Sequence, residues 1–170
     1  MNADEEADFR GYAASRMRGL RRTAFLLCGD WHHAEDVTQN VLTKLYRTWP
    51  RIRDRERVDA YAHTMLVRAT FDRRRRASWR REVSAAVVPD TTSTGQPNLE
   101  ERMVLLDALA KMPPRQRAAV VLRFWADLDV AETAQALNCA EGTVKSQTAR
   151  GLAALRELLA DSQLIEGRTP

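Results

Sequence analysis

The stretch DVAETAQALNCAEGTVKSQTARGLAALREL, Asp129 to Leu158, decides the fold of this chain. Asp129 and Glu132 stand at capping-box spacing, with Asp in place of the usual Ser or Thr. Val130, Ala134 and Leu137 give the helix that follows one apolar side. Asn138 suits the left-handed turn conformation that ends such a helix, because its short polar side chain tolerates it. Thr143 and Val144 then open a second helix, with Val144, Thr148, Leu152 and Leu155 inward. Two short helices, a tight turn and the small Ala134 at the expected crossing predict a helix-turn-helix. In that motif the second helix enters the major groove, with its N-terminal residues at base edges. The outward positions there are Glu141, Lys145, Ser146, Ala149 and Arg150, with Thr143 at the helix start. Lys145 and Arg150 can pair with phosphate or guanine, and Ser146 can hydrogen-bond to base or backbone. A helical hairpin packed on another protein is the competing reading, and the motif alone names no function.

Upstream the pattern is also helical. Phe9, Ala13, Met17, Leu20, Ala24 and Leu27 recur at three- and four-residue spacing, and Gly29 ends that run. Asp30 offers an N-cap to the next helix, whose expected buried face is Ala34, Val37, Val41, Leu42, Leu45, Tyr46 and Trp49. Pro50 closes it. The charged segment 51–59 has no apolar stripe and reads as a loop. A third helix follows, with Val58, Tyr61, Met65, Leu66 and Ala69 inward, and runs into the arginine stretch FDRRRRASWRR, Phe71 to Arg81. Residues 83–99 carry Pro89, Gly95 and Pro97 among Thr, Ser and Asp, which predicts a flexible linker. Fully extended it would reach roughly 55 Å. Helical spacing resumes at Leu99, Met103, Leu106 and Leu109. Pro113 and Pro114 interrupt it, and Pro114 suits the first turn of a helix carrying Ala118, Val121, Leu122 and Trp125. The fold class is therefore all-α: two small helical domains, 1–82 and 100–162, joined by the linker 83–99, with a tail at 163–170.

Charge is concentrated. The 170-residue chain has a net charge of +4, yet residues 51–81 hold eleven arginines against Asp54, Glu56, Asp59 and Asp72. Such a patch attracts phosphate. Cys28 and Cys139 are far apart and no C-x-x-C pair occurs, so a metal framework or disulfide scaffold is not expected. Two buried thiols, an acidic N-terminus unlike a signal peptide, and no apolar run of membrane-spanning length together suggest a cytoplasmic protein without membrane insertion. His32 and His33 are adjacent and point about 100° apart on a helix, a poor metal pair, and His63 is distant. No nucleophile elbow, phosphate-binding glycine loop or zinc-protease motif occurs, so an enzyme is not expected and no cofactor is implied.

Three segments together resemble a bacterial RNA polymerase sigma factor of the extracytoplasmic-function (ECF, group IV) type in the sigma-70 family. GDWHHAEDVTQNVLTKLYRTW (29–49) resembles the region 2 helix that binds core polymerase. DAYAHTMLVRATFDRRRR (59–76) resembles the helix that reads the −10 element. The segment 109–158 resembles region 4, which reads the −35 element. No segment remains for region 3.

The resemblance implies that Asp36, Gln39, Asn40, Thr43, Lys44 and Arg47 dock on the β′ clamp coiled coil of core RNA polymerase. Asn40 departs from the acid common there. It implies that the loop 51–59 captures a flipped non-template base, a few kcal/mol of lost stacking being returned by the pocket, with Arg53 and Arg55 among the arginines able to hold single-stranded backbone. Arg68, Asp72, Arg75, Arg76 and Trp79 share one face toward the −10 bases. Arg68 stands where Asn is frequent, and Trp79 could stack on a base or pack beneath the linker. Region 4 would read the −35 element through Thr143, Lys145, Ser146, Ala149 and Arg150. Promoter DNA, the polymerase β flap and an anti-sigma factor are the further partners implied. The alternative is a helix-turn-helix regulator acting without core polymerase.

Overall fold

A computed structural model describes residues 1–77 and 99–166, without the side chains of 73–77, 99 and 163–166. Its elements are all helical: α1 (Ala3–Cys28), α2 (Trp31–Thr48), a 3₁₀ turn (Trp49–Arg51), α3 (Val58–Ala77), α4 (Leu99–Lys111), α5 (Pro114–Val120) continued by a π-turn (Val121–Trp125), α6 (Val130–Leu137) and α7 (Glu141–Glu166). The first three helices form one bundle and the last four form another.

The punctuation is where local chemistry requires it. Asn2 and Glu5 form a capping box at the start of α1, each side chain bonded to the other's backbone N–H at 2.8 Å. Gly29 ends α1 at φ 76°, a left-handed conformation that costs glycine nothing. Asp30 then accepts from the His33 N–H at 3.0 Å and starts α2. Trp49 anchors the first bundle. Its ring is buried, meets Phe9 edge-on at 5.2 Å, and its Nε1 donates to Asp8 at 3.2 Å. Arg16 pairs with Asp59 at 2.9 Å, tying α1 to the start of α3.

In the second bundle, α7 approaches α5 tightly at Gly151. A Cβ there would lie 2.7 Å from Val120 Cγ2 and 3.0 Å from the Gln116 carbonyl oxygen. Ala134, the small residue expected where α6 and α7 cross, is buried, and Gly151 leaves no room for a side chain where α7 meets α5. Asp127 adopts φ 56° in the turn before α6, and the Arg123 guanidinium donates to the Leu128 carbonyl across that turn.

Several expected core residues lie at the surface: Met17, Tyr46, Tyr61 and Trp125 are all exposed. Tyr12 packs against Trp49, and Met17, five residues on, points well away from that contact. Trp125 sits at the end of the π-turn, where one extra residue per turn shifts the helical phase outward. The start of α4 includes Leu99, one residue inside the predicted linker, and α7 continues to Glu166, past the predicted boundary at 162. Segments 78–98 and 167–170 lie outside the described residues.

The two helical domains touch one another. α3 packs along α6, and α1 touches α4, α5 and the π-turn. One apolar cluster runs from Leu20, Leu45 and Leu66 to Leu109, Leu122 and Leu137.

Candidate nucleic-acid interface

The N-terminal half of α7 is built as a reading helix. Asp129 accepts from the Glu132 N–H at 2.7 Å, and the Glu132 carboxylate accepts from the Asp129 N–H at 2.9 Å. This reciprocal box fixes the start of α6. Asn138 takes φ 51°, ψ 53° and ends α6, so the chain turns before α7. Val144 is fully buried beneath the turn. With Val144 held inward, the helical period turns Lys145, Ser146, Ala149 and Arg150 outward, and all four are exposed, with Thr143 half-buried beside them. The Ser146 hydroxyl donates to the Thr143 carbonyl at 3.0 Å, which leaves its lone pairs available. Two cationic side chains and one hydroxyl therefore project from one helix end, the geometry a major groove accepts.

On α2 the six residues Asp36, Gln39, Asn40, Thr43, Lys44 and Arg47 are all exposed, while Ala34, Val37, Thr38, Val41, Leu42 and Leu45 are buried. Apart from the exposed Tyr46 and the buried Thr38, the apolar and polar residues of α2 lie on separate faces. Asp36 takes part in an interaction within the chain, so its carboxylate is not idle.

The basic region divides differently. Arg68 and Asp72 are exposed one turn apart on α3 and share a face with Tyr61. Arg75 and Arg76 continue that helix, but their side chains lie outside the described residues, as does all of Trp79. Arg53 is exposed in the loop before α3. Arg55 belongs to the fold as well. Its Nη1 donates to the Trp49 carbonyl at 3.0 Å, its Nε lies 3.4 Å from Asp8, and its guanidinium stacks 4.1 Å from the Trp49 ring centroid. The side chain still shows about a third of its surface, so it can bind phosphate only while holding the loop to α1.

Three features escaped the sequence. Phe124 and Trp125, 63% and 53% exposed, form an apolar prominence on the π-turn. Helical periodicity hides it, because the π-turn changes the phase. Between the bundles lies a cleft of ≈ 170 Å³ lined by Arg16, Asp59, His63, Trp125 and others. The His63 Nδ1–H donates to the Asp59 carbonyl, 2.7 Å away, and burial holds its pKa below the ordinary imidazole value. Finally, Arg117 is buried, a position no periodicity argument gives to an arginine. Among the described residues there is no cluster of His, Cys, Asp or Glu able to hold a metal, and no helix long and apolar enough to cross a membrane. Cys28 and Cys139 are half-buried free thiols.

Comparison with known proteins agrees with this layout. The Sigma-70 region 2 pattern matches residues 13–80, and the Sigma-70, region 4 pattern matches residues 102–155. The RNA polymerase sigma-E factor of Streptomyces avermitilis is 37% identical over 168 residues, spanning 94% of this chain and 89% of its own length. The ECF RNA polymerase sigma factor SigM of Mycobacterium tuberculosis is 35% identical over 143 residues, spanning 84% and 72%. The fold resembles that of the sigma factor RpoE from Bartonella quintana, solved with the anti-sigma factor NepR, at a TM-score of 0.76 and 24% identity over 90% of this chain and 97% of that one. Both sequence patterns occur in order on one chain, and the match to the Streptomyces avermitilis relative runs nearly end to end: the protein belongs to the extracytoplasmic-function sigma factors of the sigma-70 family.

Proposed function

We propose that this chain binds core RNA polymerase and directs transcription initiation at specific promoters. The observation that carries the reading is the pairing, on one chain, of a polar α2 face with an exposed α7 reading end. A regulator that worked alone would need only the second. In this reading Asp36, Gln39, Asn40, Thr43, Lys44 and Arg47 dock on the β′ clamp coiled coil. Arg53, Arg55, Arg68, Asp72, Arg75, Arg76 and Trp79 serve the −10 element. Thr143, Lys145, Ser146, Ala149 and Arg150 serve the −35 element. The exposed Phe124 and Trp125 suit an apolar contact with the β flap. The protein acts by binding, without catalysis of its own, in the cytoplasm where polymerase and promoter are. An anti-sigma factor, the class of protein bound to RpoE in its solved structure, is a further partner we assign.

The test is transcription with purified core polymerase and this chain on genomic fragments, followed by mapping of start sites. A shared pair of upstream elements at the mapped starts supports the reading. A tight footprint by the chain alone, with no transcripts, would favour the regulator instead.

A further inference from the structure

The segment 51–57 between α2 and α3 offers the core a single apolar residue, Ile52. It is nevertheless held at both ends, and by one face of α1. Asp8, Tyr12 and Arg16 stand four residues apart and share that face. Asp8 and Arg16 are about 12 Å apart along the axis, at ~1.5 Å per residue.

At the near end one carboxylate oxygen of Asp8 serves two partners. Oδ2 accepts from Trp49 Nε1 at 3.2 Å and lies 3.4 Å from Arg55 Nε. Arg55 lies over the Trp49 ring at 4.1 Å and donates to the Trp49 carbonyl at 3.0 Å. The entry to the loop and its middle are thereby drawn together over Asp8. At the far end Arg16 Nη2 meets Asp59 Oδ2 at 2.9 Å, in the first turn of α3. Tyr12 stands between these two anchors, its ring 5.2 Å from that of Trp49. Burial first and the Asp59 carboxylate second push its phenol pKa above the ordinary value, so the hydroxyl stays protonated beside that carboxylate.

Between the anchors the loop closes on itself. Asp54 accepts from the Glu56 N–H at 3.1 Å and pairs with Arg57 at 3.3 Å, and the Val58 N–H donates to the Arg55 carbonyl at 3.3 Å. Arg51 and Arg53 are left exposed on the outside. Stability is a poor reason for the two anchors. The side chains of Asp8 and Arg16 are each 57% exposed, and ion pairs of exposed groups add little to folding. Shape is a better one. A site that reads a base must hold its groups to within about 0.5 Å, and a loop does so only when neighbouring elements lock it.

We propose that Asp8 and Arg16 are positioning residues: from α1 they set the shape of the segment 51–57, and through it which base that segment accepts in the −10 element. This rests on the assignment of the segment to the −10 element above. Neither residue has to touch DNA. Asp8 acts through Arg55 and Trp49, and Arg16 acts through Asp59.

The test uses the full chain assembled with core polymerase. The template is a fork taken from a mapped start site, duplex upstream and single non-template strand through the −10 element, with each base of that element substituted in turn. Competition anisotropy gives the affinity ratio of cognate to substituted strand. We expect wild type to discriminate by at least about fivefold at the bases it reads. Asp8→Ala and Arg16→Ala should each bring the ratio below about twofold at the same one or two bases, and keep it at the other −10 bases and at the −35 element. Arg10→Ala is the control, since its partner Glu6 lies on α1 itself, and should behave as wild type. Asp8→Asn keeps an acceptor for the Trp49 N–H and removes only the charge. It replaces Asp8→Ala, and Arg16→Gln replaces Arg16→Ala, if the alanine variant is not helical by circular dichroism. Unaltered ratios in a folded Asp8 or Arg16 variant overturn the proposal and leave the sigma reading intact. So does a uniform loss at every base, since α1 would then support the fold and not the choice of a base. A wild-type holoenzyme that discriminates at no base of the fork removes the −10 assignment itself, and the proposal with it.

Discussion

The Arg117 guanidinium is buried in the second bundle and donates to the carbonyl of Leu26, the penultimate position but one of α1 in the first. Ninety-one positions separate the two residues in sequence. Arg117→Ala therefore leaves a partly buried carbonyl without its donor and removes the packing of a long side chain. We expect a loss of about 1–3 kcal/mol, read as a lower midpoint in urea or thermal melts followed by far-UV circular dichroism. Arg117→Lys should recover part of it, since an ammonium keeps the charge but not the fork of donors.

Gly151→Ala should destabilise, although alanine is the better helix former by about 1 kcal/mol. The added Cβ meets Val120 Cγ2 at 2.7 Å and the Gln116 carbonyl oxygen at 3.0 Å, and a backbone atom cannot move aside as a side-chain tip can. Overpacking of this kind costs about 1–3 kcal/mol. Gly142→Ala is the control, because nothing lies within 4 Å of its Cβ position. It should be neutral or slightly stabilising. Denaturant titrations of the two variants should move the midpoint in opposite directions, or only Gly151→Ala should move it.

Arg55 and Arg53 carry the same charge in the same loop but differ in what they hold. Arg55 stacks on Trp49 and bonds its carbonyl, and Arg53 makes no such contact. Arg55→Ala should cost about 1–2 kcal/mol from the lost charged hydrogen bond and cation–π contact. Arg53→Ala should stay within ~0.5 kcal/mol, as exposed substitutions do. If both arginines serve single-stranded DNA, fluorescence anisotropy will fall for both, and only the Arg55 variant will also melt early.

Much of this was legible from local patterns. Gly29, Asp30, Asp129 and Asn138 work through their own backbone and nearest neighbours, so a single sequence displays them. The polar face of α2 and the outward end of α7 follow from helical period once the caps are placed. What was not legible depends on distant partners. α3 packs along α6 of the other bundle, and no periodicity within either helix announces that partner. Trp125 read as core because a regular α-helix would turn it inward, and the π-turn alters the phase. Arg117 is the sharpest case: its burial becomes sensible only when the end of α1 is beside it.

Lys145 and Arg150 project from α7 with exposed side chains. Changing either to Ala should reduce transcription at promoters that depend on the upstream element, with each lost base or phosphate pairing worth about 1–3 kcal/mol of binding. Asp36→Arg should act elsewhere, weakening core association while leaving duplex binding by the helix-turn-helix as it was. Gel-shift titration with core enzyme and run-off assays on −35 variants separate the two. An equal loss for Lys145→Ala on a template with a scrambled −35 element would show that the residue does not read that element.

Acid should loosen the fold through His63. The half-buried imidazole sits against Asp59, with Arg16 and Glu132 as the other charged groups acting on it, and desolvation dominates, so its folded pKa lies below the ordinary 6.5. Below pH 6.5 the unfolded chain takes up the proton while the folded one resists, so the unfolded state binds more protons and stability falls with pH. The loss begins near 6.5, grows as pH falls toward the folded pKa, and levels off below it. His63→Gln should flatten this part of the curve and leave the acid limb from carboxylate protonation in place. Urea midpoints between pH 7.5 and 5 for the two proteins measure it, and parallel curves would mean that His63 titrates alike in both states.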